Sequence, residues 1–88
     1  MPSRDEIATR VLEKLGAMAH VSPSQVTENL SLEKDLGMTT TVRRAMALPY
    51  NGIIGRYAEG VRISMDEAGA LKTVKDSIDL ITNRANGK

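Results

Sequence analysis

Asp35-Leu36-Gly37-Met38-Thr39-Thr40-Thr41 is a charged turn closing on Asp-Leu-Gly, followed by three hydroxyl side chains that lead into an apolar-periodic run from Val42. Thr suits a helix start because its oxygen accepts from backbone N–H groups that the first turn leaves unpaired. A helix start also carries partial positive charge and suits a phosphate. The stretch therefore predicts a helix from Thr40, with an exposed hydroxyl at its head where a phosphate-linked group could be carried.

Upstream, Ser3-Arg4-Asp5-Glu6 reads as a capping box, with Ser3 as N-cap and Glu6 three residues later. Ile7, Val11, Leu15 and Met18 follow at helical spacing, widened by Ala8 and Leu12, which predicts a first helix over residues 4–19. His20 reads as a polar residue at its C-terminal end. Ser22-Pro23-Ser24-Gln25 predicts one short turn. A long connection anchored by Leu30, Leu32 and Leu36 then reaches Asp35, which orders the turn.

Downstream, Val42, Met46, Pro49/Tyr50, Ile53 and Tyr57 are again helically spaced. Pro49 removes an N–H and crowds the preceding turn, and Gly52 and Gly55 weaken the same region. The expectation is an elongated second helix kinked near Pro49, with a split into two pieces as the alternative and Gly60 as its stop. Ser64-Met65-Asp66-Glu67 is a further capping box and predicts a short helix ending near Gly69 or Ala70. Thr73 caps a last helix that turns Val74, Ile78 and Ile81 inward, and the tail over 83–88 is expected to fray. Met18, Met46 and Met65 fall at apolar positions and are expected in the core. Ile53 or Ile54, if exposed on an elongated helix, would favour dimerisation.

Eighty-eight residues make one domain, 1–88, and a chain of this size buries only roughly 60–65% of its unfolded surface. A large enclosed cleft is thus not expected. Without Phe or Trp, and with Tyr50 and Tyr57 as the only aromatics, the core must come from Val, Leu, Ile, Met and Ala. A net charge of +1 is too balanced to announce nucleic acid or an anionic membrane. No run reaches the length of a membrane span and no signal-peptide region is present, so the expectation is cytoplasmic. With no Cys and one His, thiolate chemistry, metal binding and imidazole catalysis are not expected.

Taken in order and spacing, the residues resemble the acyl carrier protein family across nearly the whole chain. The matching fragments are Ile7, Val11 and Leu15, then Val21 and Val26, then Leu32 before Asp35-Leu36-Gly37. The pattern resumes at Met46-Ala47-Leu48 and Val61-Arg62-Ile63-Ser64, and closes over Leu71-Lys72-Thr73-Val74-Lys75-Asp76-Ser77-Ile78-Asp79. The resemblance implies an all-α, acyl-carrier-like four-helix bundle of three longer helices and one short one. It further implies a thioester carried on 4′-phosphopantetheine, attached to a Ser at the start of the second helix in the motif Asp-Ser-Leu. In the family, acidic side chains on that helix dock the carrier-dependent enzymes.

This chain departs from the family pattern around that element. Thr39-Thr40-Thr41 stands where the family has Asp-Ser-Leu, so Thr40 occupies the attachment position. The second helix carries Arg43, Arg44 and Arg56, with no acidic residue between Met38 and Ala58. The interval from Thr40 to Ile63 is also longer than usual. Two readings follow. One is a divergent carrier of fatty-acid, polyketide or aminoacyl metabolism, bearing 4′-phosphopantetheine on Thr40. The alternative is an arm-less binding module whose Arg43, Arg44 and Arg56 face meets an acidic-surfaced protein partner. An enzyme in its own right is not expected, because no carboxylate pair or nucleophile–base spacing stands out.

Overall fold

A computed structural model describes residues 2–87. The chain is all-α, and among the described residues it has no strand, only an isolated bridge between Ser31 and Thr73. Helix α1 spans Arg4–Ala19 and α2 spans Thr40–Ala45. Helix α3 spans Ala47–Gly55, α4 Met65–Gly69 and α5 Val74–Ala85, with a 3₁₀ turn at Pro23–Gln25. Helix α1 packs on α3 and α5, α3 on α5, and α2 on α4.

The caps follow the sequence signals, with one diversion. Ser64 and Glu67 exchange side-chain and backbone hydrogen bonds, as do Thr73 and Asp76. Ser3 Oγ accepts from the Glu6 N–H, but Glu6 Oε2 accepts from Tyr57 Oη at 2.5 Å. His20 closes α1 in the left-handed region at φ 60°.

The expected single helix kinked at Pro49 is corrected: the run is divided at Met46. Pro49 has no N–H for the Ala45 carbonyl, and its ring crowds that carbonyl, so helical bonding stops one turn upstream. Pro49 is then the third residue of α3, within the first turn, where an N–H has no intrahelical acceptor to serve. Helix α3 also ends at Gly55, short of Gly60, and turns carry the chain from there.

Ile7, Val11 and Leu15 of α1 meet Tyr50, Ile53 and Ile54 of α3 and Val74, Ile78 and Ile81 of α5 in one buried cluster. Ile53 and Ile54 are thus core residues, which removes the exposed isoleucine offered as a reason for dimerisation. Met46 is buried as expected, whereas Met18 and Met65 are 43% and 52% exposed. Met18 falls in the last turn of α1 and Met65 in the first of α4, where solvent reaches past the bundle. Residues 83–85 are helical and Ala85 is buried, so the expected fraying does not hold there; Lys88 lies outside the described residues.

The long connection between α1 and α2 is strapped to the α4–α5 corner through its backbone. Leu32 N–H donates to Lys72 O at 2.9 Å, Val74 N–H to Leu30 O at 3.1 Å and Lys75 N–H to Glu28 O at 3.0 Å. These bonds satisfy backbone groups of Glu28, Leu30 and Leu32 in a segment that carries Val26 and Leu32 into the core. Ion pairs reinforce the same layer. Arg4 grips Glu28 with both terminal nitrogens, at 2.6 and 3.1 Å, and Asp79 with Nε at 2.9 Å. The Arg4 guanidinium holds the Glu28 carboxyl below the usual carboxylate range, as Arg84 does for Glu67.

Two predictions arise from this packing. A Cβ on Gly16 would stand 2.8 Å from Val21 O and 3.2 Å from Pro23 N, both backbone atoms. Gly-to-Ala within an open helix normally stabilises by roughly 0.5–1 kcal/mol. Here Gly16→Ala is expected to destabilise by about 1–3 kcal/mol, read from urea denaturation. Burial pushes the Tyr50 phenol up from 10.0 to about 12, because the phenolate would lose its water. The raised value favours the neutral fold: the stabilisation is complete below pH 10.0 and is lost as pH rises through about 12. Denaturation midpoints of the wild type should therefore fall more steeply across that window than those of Tyr50→Phe, a difference of about 2–3 kcal/mol.

Candidate functional site

The turn before α2 is built from short-range bonds. Asp35 Oδ2 accepts from the Ser31 N–H at 2.6 Å, and Ser31 Oγ accepts from the Lys34 N–H at 3.0 Å. Gly37 takes φ 67°, a conformation glycine adopts without a Cβ penalty. The chain then drops Met38 into the core, its N–H donating to Leu32 O at 2.9 Å.

Thr39, not Thr40, caps α2. Its Oγ1 accepts from the Val42 N–H at 3.2 Å, and its extended backbone, at ψ 168°, is that of an N-cap. Thr40 is the first helical residue and is exposed, its hydroxyl unused by the cap. Thr40 Oγ1 instead accepts from Arg43 Nη2 at 3.1 Å.

Arg43 is a clamp. Its Nε donates to Gly69 O at 3.3 Å, and its Nη1 to Met38 O at 2.9 Å and Glu33 Oε2 at 3.4 Å. Together with Thr40, one guanidinium thus joins the turn, α2 and the end of α4, and the side chain is only 13% exposed. Arg44 pairs with Asp66 of α4, and its stem lies where a Cβ on Gly69 would be, 2.7 Å from Arg44 Cγ. Arg43 and Arg44 therefore tie α2 to α4.

Arg56 is elsewhere. It caps the far end of α3, is exposed, and lines a groove against α1 with Arg10 and Lys14. The structure thus brings Thr40, Arg43 and Arg44 together and separates Arg56 from them. Sequence reasoning missed Arg10 and Lys14, and Glu33 and Asp66 as partners of the α2 arginines. A like-charged pair four residues apart on α1 was the available signal for the first two. The others are non-local and leave no pattern.

Chemically, the site offers a surface hydroxyl with a guanidinium on it. Arg43 is a donor only and cannot take the hydroxyl proton, and Thr40 Oγ1 has no second partner among the described residues. Beside it, a groove of about 340 Å³ is lined by Arg43, Lys34 and Lys72, with Glu33, Ser31 and Leu71. No protein-family model matches this chain, and no curated protein matches it. Among the described residues, no helix is long and apolar enough to cross a membrane.

The clamp predicts a stability effect. Arg43→Met leaves the Gly69 and Met38 carbonyls without this donor and should cost about 1–3 kcal/mol in urea denaturation. Arg43→Lys should recover little, since an ammonium cannot span acceptors that the planar fork reaches at once.

Proposed function

We propose that this chain is an acyl-carrier-like domain whose Thr40 hydroxyl is the tether for a 4′-phosphopantetheine arm. The domain serves fatty-acid, polyketide or aminoacyl-carrier enzymes and is not itself an enzyme. The observation that carries the reading is the division of labour between Thr39 and Thr40. Thr39 supplies the cap, so the exposed Thr40 oxygen can take an ester bond without uncapping α2. An order of helices in which a long connection and a tight turn precede that hydroxyl also supports the resemblance in the sequence.

The residues present fit the group. Thr40 would bear the phosphodiester, Arg43 Nη2 lies on the oxygen it would extend from, and Lys34 and Lys72 line the adjoining groove. When bound, the arm supplies the thiol that this chain lacks. The Thr methyl crowds the oxygen and restricts χ1, so transfer should be slower than to Ser.

A second reading has its own support. Arg43 already occupies the Thr40 hydroxyl, and the α2 face lacks acidic side chains, as an arm-less module would. Incubation with coenzyme A and a promiscuous phosphopantetheinyl transferase, read by intact mass, separates the two. The carrier reading expects one added arm on the Thr40 peptide, faster loading of Thr40→Ser and none of Thr40→Ala. Unmodified mass for the wild type and for Thr40→Ser alike would sink it and leave the arm-less module.

A further inference from the structure

The groove between α1 and α3 lies apart from Thr40 and is not used by the proposed function. Its volume is about 260 Å³, below the roughly 300–1,000 Å³ of drug-sized ligand sites. Pro49, Gly52 and Ile53 line it along α3, and nothing lies within 4 Å of where a Gly52 Cβ would stand. Arg10, Lys14 and Arg56 share this lining with a single carboxylate, Glu13. None of the three cations is salt-bridged among the described residues, whereas Arg4, Arg43, Arg44 and Arg84 all are.

Arg10 is also held in place. Its Nε donates to Tyr57 Oη at 2.6 Å, its guanidinium carbon lies 5.8 Å from the ring centroid, and Tyr57 in turn donates to Glu6. Both terminal nitrogens of this oriented fork have no partner among the described residues. An immobilised guanidinium with free ends loses little freedom when it takes an oxyanion.

We propose that this groove binds a phosphate monoester with a small organic body. Three cations and one carboxylate leave the lining with two positive charges in excess, matching the roughly −1.5 to −2 of a phosphate monoester at neutral pH. A carboxylate carries half that charge. The organic body rests over Gly52, between Pro49 and Ile53.

The test is a titration of the ¹⁵N-labelled chain with phenyl phosphate, followed by NMR. Saturable shifts are expected at the Gly52 and Ile53 amides and at Arg10 Nε, and not at Thr40, so a response at the carrier site is told apart. Lys14→Gln and Arg56→Gln should each weaken binding by roughly tenfold with an unchanged melting curve. Gly52→Leu, which fills open space on a helix, should abolish it. Thr40→Ala should bind like the wild type. The proposal is overturned if no saturable shift appears by about 10 mM, a concentration well above a millimolar Kd. It is overturned equally if the variants bind unchanged, if benzoate binds as tightly, or if a Glu-rich peptide binds more tightly than phenyl phosphate.

Discussion

Pro49 lacks the one backbone donor that would have carried a single helix from Thr40 to Gly55, and the chemistry of the molecule is sorted by that gap. Helix α2 ends at Ala45, and α3 restarts at Ala47 with Met46 buried between them. The Tyr50 N–H bonds back to Met46 O at 2.9 Å, so only the turn facing the proline is interrupted. Six residues are too few to hold a helix by backbone bonding alone. Helix α2 therefore takes its stability from α4, through the Arg43 clamp and the Arg44–Asp66 pair. Helix α3, released from that alignment, lays Tyr50, Ile53 and Ile54 into the α1–α5 core.

Local signals in the sequence carried far. Apolar spacing and caps placed α1 over 4–19 and the short fourth helix at Ser64, because such signals depend on residues within one or two turns. The break at Met46 was half legible: the proline names the cause but not which side yields, and that depends on α4 being available to α2. The sorting of the arginines was not legible. Arg43, Arg44 and Arg56 fall within one stretch, yet their roles are fixed by Gly69, Asp66 and Arg10, all distant in sequence. At Thr40 the hydroxyl was legible and its release from capping was not, since a run of three threonines leaves open which one caps.

Four arginines of this chain work as ties. Arg4, Arg43, Arg44 and Arg84 each bridge elements far apart in sequence, and Arg4, Arg43 and Arg84 do so through three or more hydrogen bonds. A core without Phe or Trp buries little area per side chain, and planar forks that reach several acceptors add specificity where packing supplies less. Most of these pairs are partly exposed, and each contributes modestly on its own. Their main effect is register: they fix the connection, α2 and α4 relative to the bundle.

The same logic exposes a local rule this fold breaks. Glu6 has the position to complete the α1 capping box, yet its carboxylate serves Tyr57, and the Ser3 N–H loses that cap. A capping interaction is worth about 1 kcal/mol, so the diversion needs a compensating gain. Bonding to Arg10 and Glu6 at once, Tyr57 joins α1 to the turn after α3 and orients the Arg10 guanidinium along the groove. Had stability alone governed these residues, a completed box and an apolar residue at position 57 would have satisfied both helices. The result is an arginine steadied by a phenol, its terminal nitrogens without a partner among the described residues, and a broken local rule of this kind is expected at functional or strained positions.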